Sequence, residues 1–253
     1  RPQTMTLVLW IEVAGKFQRV NNWLGNFRQA MTLIIDIHKA HVKGGIMGNE
    51  DTVLAAHPVF LVADGMGGHA DGALASRAVI SAFRELVGKT WVTAQDITAA
   101  VQRAADRVEC LGCGDGAPGS TLAGAASARR AGIACWLLFN IGDSRIYLMR
   151  SGQLRRISVD HSTRISSAGP GTRGGLVRAF GAGLERPVAD QWLTPAHAGD
   201  RILVCSDGLS DEVAGEYLER VLRERSEPQE VVRRLVGKAL EEGGRDNVSV
   251  IVV

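Results

Sequence analysis

Apolar positions fall into a regular order from residue 32 onward. Leu33 to Ile37 reads as a strand, and Gly44-Gly45 then breaks the chain ahead of Asn49-Glu50-Asp51. Val59-Phe60-Leu61-Val62-Ala63 is an unbroken apolar run ending at Asp64, the pattern of a strand buried on both faces. The spacing then turns helical: Leu74, Ala78, Ala82 and Leu86 share a face, with Val79 and Phe83 beside them. A second helix is predicted over about 94–111, lined by Ile97, Val101, Ala104, Val108 and Leu111. Thr93 is its expected N-cap, with Asp96 closing an imperfect capping box. A Gly-rich loop at 112–119 is followed by strand-like runs at 120–128, 132–141, 144–149 and 153–158, with Ser151-Gly152 as a hairpin turn. Residues 161–175 read as a polar surface loop, and Ile202 to Cys205 as another short strand. Helices are expected near 214–225 and after Ser226, where Gln229 would complete a capping box. The second would carry Val231, Val232, Leu235, Val236, Ala239 and Leu240 on one side. Val248 to Val253 closes the chain as a strand.

Strands, two helices, more strands, then two helices is not the strict alternation of a doubly wound fold. It favours an α+β class with mainly antiparallel sheets. Residues 1–31 do not share the pattern and stand as an unassigned N-terminal extension to a domain over 32–253. The chain opens with Arg1 rather than methionine, as a fragment or processed form would, and its first residues lack a signal peptide's basic start and apolar core.

Composition narrows the function classes. Hydrophobic residues make up 45% of the 253 positions and charged residues 22%, a globular balance. Lys plus Arg is 29 against 27 for Asp plus Glu, a formal charge of +2, so nothing argues for nucleic acid or an anionic membrane as partner. No apolar run approaches the roughly 18 residues of a membrane span. Of four cysteines, Cys135 and Cys205 lie in apolar runs and read as core, while Cys110 and Cys113 form one C-x-x-C without a second ligand pair for zinc. This usage suits a reducing, cytoplasmic setting.

One chemical pattern recurs. Strand-like runs deliver Asp64-Gly65, Gly142-Asp143 and Asp207-Gly208 at their ends, and Asn49-Glu50-Asp51 and Gly244-Arg245-Asp246-Asn247 add further acids. A single such Asp is usually a turn residue. Together they point to carboxylates gathered around hard divalent cations, Mg²⁺ or Mn²⁺, because the set is oxygen-only. Two such ions activate a water and clamp phosphoryl oxygens, a site suited to hydrolysis.

The runs Val62-Ala63-Asp64-Gly65-Met66-Gly67-Gly68-His69, Asn140-Ile141-Gly142-Asp143-Ser144-Arg145, Cys205-Ser206-Asp207-Gly208-Leu209 and Gly244-Arg245-Asp246-Asn247 resemble the bacterial branch of the metal-dependent (PPM, type 2C) protein phosphatases. Asn49-Glu50-Asp51, Gly119-Ser120-Thr121 and Asp160-His161-Ser162 fall in the matching order. The resemblance implies a four-layer αββα sandwich of two antiparallel sheets flanked by helices. It implies that Asp64 bridges two metals, that Gly65 offers its carbonyl, that Asp207 and Asp246 hold the second ion, and that Glu50 and Asp51 bind or orient metal-bound water. Asp143 and Asp211 match the ligands of the third, weaker ion of bacterial members. A metal-bridging hydroxide would attack phosphoserine or phosphothreonine on a protein substrate, opposing a Ser/Thr kinase, and Asp64, Asp207 and Asp246 would carry catalysis.

The chain departs from that pattern at Ile46, where family members carry an Arg that grips the substrate phosphate. His41, Lys43 or an Arg of the 164–178 segment are the substitutes in reach along the chain. Met66 stands where eukaryotic relatives have a His acid, which leaves protonation of the leaving group to water. The 161–178 segment, where the family has a flap, is short. A catalytically weak or inactive module that binds phosphoprotein is therefore the alternative. The 114–121 loop has Ser120 where a P-loop has lysine, and its helix-then-strand context is the reverse of a dinucleotide fingerprint. His69 and His161 are read as structural rather than as ligands. Trp91, Trp136 and Trp192 are read as core, and the Arg129-Arg130 and Arg155-Arg156 pairs as solvated strand ends.

Overall fold

The computed structural model describes residues 48–67, 70–114, 116–163, 175–224 and 226–253, and by backbone the strands 33–37, 41–42 and 45–46. The 1–31 extension, Lys43 and His69 lie outside these residues.

Two five-stranded sheets organise the chain. One runs β1 (Leu33–Ile37), β15 (Val248–Val252), β14 (Arg201–Cys205), β10 (Arg145–Arg150), β11 (Gln153–Arg156). The other runs β13 (Asp190–Pro195), β9 (Ile133–Ile141), β8 (Leu122–Arg130), β5 (Val59–Ala63), β4 (Thr52–Ala56). Every pairing is antiparallel. A small sheet joins β12 (Phe180–Gly181), β7 (Gly119–Ser120) and β6 (Gly65–Met66), and β2 (His41–Val42) pairs with β3 (Gly45–Ile46). The helices are α1 (Ala70–Phe83), α2 (Ala94–Glu109), α3 (Gly215–Arg223) and α4 (Pro228–Glu241), with a single helical turn at Asp207–Ser210.

Strand alternation sets the layers. In β5, Val59, Leu61 and Ala63 pack with Val79, Phe83, Ile97 and Val101 of α1 and α2. The alternate residues Phe60 and Val62 turn the other way and meet Ile202, Val204 and Ile251 of the facing sheet. In that sheet Leu203, Cys205, Val248, Val250 and Val252 pack on Leu218, Val221, Val232 and Leu235 of α3 and α4. The order is therefore helices, sheet, sheet, helices, as the resemblance implies, and both inner sheets are buried on two faces. This accounts for the continuous apolar runs.

Local signals explain most elements and correct a few. Thr93 and Asp96 do close a complete capping box, so Asp suffices at the third position. The Ser226–Gln229 box does not form. Glu227 is the N-cap without a side-chain cap, and Pro228 starts the helix because its fixed φ and missing N–H suit the first turn. Leu74, Leu111 and Leu240 are exposed rather than core. On α1 the buried face is Ala75, Val79, Ala82 and Phe83, and Leu111 lies beyond the end of α2. The hairpin at Ser151-Gly152 has φ of 51° and 79°, the positive pair that suits a two-residue turn between twisted strands. The edge strands β4 and β13 went unread: Asp190, Gln191 and Thr194 break the apolar pattern of β13, and β4 is a short run of which only Leu54 is buried. Cys135 and Cys205 are buried, and burial pushes the Cys205 thiol up to about 12. Cys110 and Cys113 are free and exposed. Trp136 is buried and Trp192 packs against the inter-sheet core, whereas Trp91 is only half-buried, under the Arg129 guanidinium. Arg129, Arg130, Arg155 and Arg156 are exposed as read.

Phe83 of α1 stacks on Phe139 of β9, with ring centroids 5.8 Å apart and planes 3° from parallel. Both rings are fully buried, so Phe83→Ala should cost about 3–5 kcal/mol in urea unfolding. A loss below about 1 kcal/mol would mean that α1 is not anchored through this ring.

Candidate metal centre

The acidic residues reach one place because a few short contacts join the strand ends that carry them. At the end of β5 the Asp64 peptide is held on both sides by Thr121. The Asp64 N–H donates to Thr121 Oγ1 at 3.1 Å, and the Thr121 N–H donates to the Asp64 carbonyl at 2.9 Å. The same hydroxyl lies 2.7 Å from Ser144 Oγ, next to Asp143. Gly142 sits against this threonine with φ of +97°, and a Cβ there would fall 2.7 Å from Thr121 Cγ2. Only glycine fits that turn.

Asn247 makes the second junction. Its Oδ1 accepts the Glu50 N–H at 2.9 Å, and its own N–H donates to Asp246 Oδ1 at 2.8 Å. Its carbonyl accepts the Ser206 hydroxyl at 3.3 Å. A Cβ on Gly208 would lie 2.0 Å from that carbonyl, so the Asp207-Gly208 turn and the Asp246-Asn247 turn are in backbone contact. Glu50 is placed by α1. Its carbonyl accepts the Ser76 hydroxyl at 2.6 Å, and a Cβ at Gly72 would sit 2.0 Å from Glu50 Oε2. Gly65 faces the same spot, where a Cβ would meet the Gly72 carbonyl at 2.1 Å.

The electrostatic result is centred on Asp64. Burial first, then the charges of Asp51, Asp207, Asp246 and Asp143, push its carboxyl well above the usual carboxylate range. Its residue surface is only half-buried, but the carboxyl itself is enclosed closely enough that desolvation dominates. Glu50, Asp51 and Asp207 are buried, Asp143 is half-buried and Asp246 exposed. Asp211 is exposed, with its Oδ1 3.8 Å from Arg145 Nη2. Among the described residues no three His, Cys, Asp or Glu side chains form a ready-made cage. The carboxylates therefore stand within reach of each other's charge rather than at ligand spacing. The donor set is oxygen-only, strongly negative and cradled by glycines that a Cβ would fill, and it fits hard dications. His161 serves structure, as read: its Nδ1 accepts the Gly142 N–H at 3.0 Å.

Residues 39–242 match the family model for protein phosphatase 2C. The chain belongs to that family. Among curated relatives, the serine/threonine protein phosphatase PstP of Mycobacterium tuberculosis is 35% identical over 221 residues, covering 81% of this chain and 41% of PstP. The chain thus spans about two-fifths of that relative's length. The serine/threonine phosphatase Stp of Listeria monocytogenes is 29% identical over 240 residues, covering 85% of this chain and 90% of Stp. The crystal structure of the PstP catalytic domain, which holds two manganese ions, superposes with a TM-score of 0.72 at 33% identity, covering 87% of this chain and 96% of that one.

Thr121, Asn247, Gly72 and Ser76 are the site residues that sequence reasoning passed over. Thr121 and Asn247 sit inside the quoted Gly-Ser-Thr and Asp-Asn motifs, so their place was visible and their task was not. Gly72 and Ser76 sit on a helix with no signal apart from Gly at a helical position.

In chelator, Asp64→Asn should raise thermal stability by about 1–2 kcal/mol, because it removes a partly desolvated charge among like charges. The gap should widen with pH. A carboxyl whose folded pKa is raised gives its full stability below the unfolded value and loses it as pH rises through the folded one. Equal stability of the two proteins from pH 4 to 8 would contradict the convergence of these charges.

Proposed function

We propose that the chain is a metal-dependent protein phosphatase that hydrolyses phosphoserine and phosphothreonine, and that Mn²⁺ or Mg²⁺ binds among Asp64, Gly65, Asp207 and Asp246. Glu50 and Asp51 flank that pair, and Asp143 with Asp211 serve a third, weaker ion. The supporting observation is the enclosure of Asp64 by four other acidic charges, which is costly in a fold unless cations offset it. When bound, such ions lower the pKa of water and draw charge from a phosphoryl group. The protein's own part is placement. Thr121 and Asn247 hold the strand ends in register, so that the Asp64, Asp207 and Asp246 carboxylates would be in place to hold the cations. Cys205, the cysteine beside Asp207, is buried and its thiol protonated, so it supplies no nucleophile.

The substrate is a phosphoprotein, and the reaction opposes that of a Ser/Thr kinase. We assign the chain to a reducing, cytoplasmic setting on its free cysteines. Among the described residues no helix is long and apolar enough to cross a membrane. Of the substitutes for the missing phosphate grip, Arg178 is engaged with Asp190 at 2.7 Å. The backbone of β2 and β3 pairs residue 41 with Ile46. The sequence departure at Ile46 favours weak substrate binding.

Turnover of a phosphothreonine peptide should require Mn²⁺ or Mg²⁺ and stop in EDTA, and Asp207→Asn should lower kcat at least about a hundredfold with the fold intact. Activity that survives EDTA or Asp207→Asn would overturn the proposal. Ile46→Arg should lower KM for the peptide about tenfold by restoring a charge-assisted phosphate contact. An unchanged KM would show that the grip is supplied elsewhere.

A further inference from the structure

Asp160 and His161 are consecutive residues beyond β11, and each reaches a different acidic turn of the site. The Asp160 carboxylate takes the Arg145 guanidinium through Nε at 3.2 and 3.3 Å and through Nη2 at 2.9 Å. Arg156 pairs with the same carboxylate. Arg145 continues onward: Nη1 donates to the Ser210 carbonyl at 3.2 Å, and Nη2 lies 3.8 Å from Asp211. Burial alone would lower the Arg145 pKa; the Asp160 contacts outweigh it and hold the guanidinium firmly charged.

His161 acts on the other turn. The Gly142 N–H donates to its Nδ1 at 3.0 Å, which puts the ring proton on Nε2, and Nε2 then donates to Asp190 Oδ2 at 3.1 Å. The His161 N–H donates to the Gly142 carbonyl at 3.0 Å, and Asn140 Nδ2 donates to the same oxygen at 3.1 Å. Gly142 is therefore gripped through both of its backbone polar groups, and Asp143 is the next residue. Arg178 fixes the far end by donating to Asp190 Oδ1 at 2.7 Å.

We propose that Asp160 and His161 are positioning residues that hold the Asp211 and Asp143 turns in place, and so govern the retention of the most weakly held dication. The inference rests on the metal-site reading above. A role in folding alone would affect the whole molecule. A positioning role acts most on the step that uses Asp143 and Asp211, because Asp160 and His161 reach those two turns directly, whereas Asp64 and Asp246 are held by Thr121 and Asn247 and are reached only through them.

The test is Mn²⁺ binding to the chain without substrate, followed by isothermal titration and by the electron paramagnetic resonance of free Mn²⁺. The proteins are wild type, Asp160→Asn, His161→Ala and His161→Asn, whose side-chain oxygen can take the place of Nδ1. Asp160→Asn and His161→Ala should weaken the weakest step about tenfold or more and leave the tighter steps within about threefold. His161→Asn should restore that step to within about threefold of wild type. Unchanged binding in Asp160→Asn and His161→Ala, an equal loss at every step, or equal defects in His161→Ala and His161→Asn would overturn the positioning role. Wild-type protein that binds no Mn²⁺ would instead overturn the metal-site reading on which it rests.

Discussion

Like charges do not gather in a folded protein unless something forces them together, and here the force is backbone contact. Gly208 lies against the Asn247 carbonyl, and Gly65 against the Gly72 carbonyl, at distances that no other residue type could accept. The strand ends bearing Asp207, Asp246, Asp64 and Glu50 are thus locked together by main chain. Their side chains must then accept each other's fields. Burial first, and then those fields, push the Asp64 carboxyl well above the usual carboxylate range. A flexible loop would relieve such repulsion by moving apart; these turns are continuous with strands buried on both faces and cannot.

The sandwich makes this rigidity available. Each inner sheet is covered by helices outside and by the other sheet inside, so the carboxyl-bearing ends of β5, β9 and β14 are anchored by three layers of packing. The polar junctions at these ends are partly or fully buried. Thr121 ties Asp64 to the Asp143 turn, and Asn247 ties Glu50 to the Asp207 and Asp246 turns. Hydrogen bonds buried in this way direct geometry more than they add stability, because leaving any one unmade carries a full desolvation cost. Function and fold therefore share the same contacts.

Much of this was legible in the sequence. The apolar runs 59–63 and 202–205 mark strands covered on both sides, and each leads into an Asp, directly at Asp64 and after Ser206 at Asp207. Thr93 and Asp96 announced the start of α2. The failures have physical causes. β4 and β13 lie at sheet edges: polar Asp190, Gln191 and Thr194 interrupt β13, and the short apolar run of β4 has only Leu54 buried. The Ser226 cap lost to Pro228, whose ring sets φ for the first turn one residue later than a serine cap would. Leu74 and Leu240 fit a helical stripe by spacing, but the face that meets the sheet is rotated toward Val79 and Phe83 in one helix and Val232 and Leu235 in the other. At the site, the acidic residues could be named from their motifs. Asp211 showed its place beside Arg145 only in three dimensions, as did the tasks of Thr121 and Asn247, because contacts across the sandwich leave no periodic trace.

Anomalous diffraction from crystals grown with manganese tests the central claim most directly. Two strong peaks within ligand distance of Asp64, shared with Asp207 and Asp246, are the predicted result. Peaks confined to the surface, with those three carboxylates left to hydrogen-bond only protein and water, would contradict it.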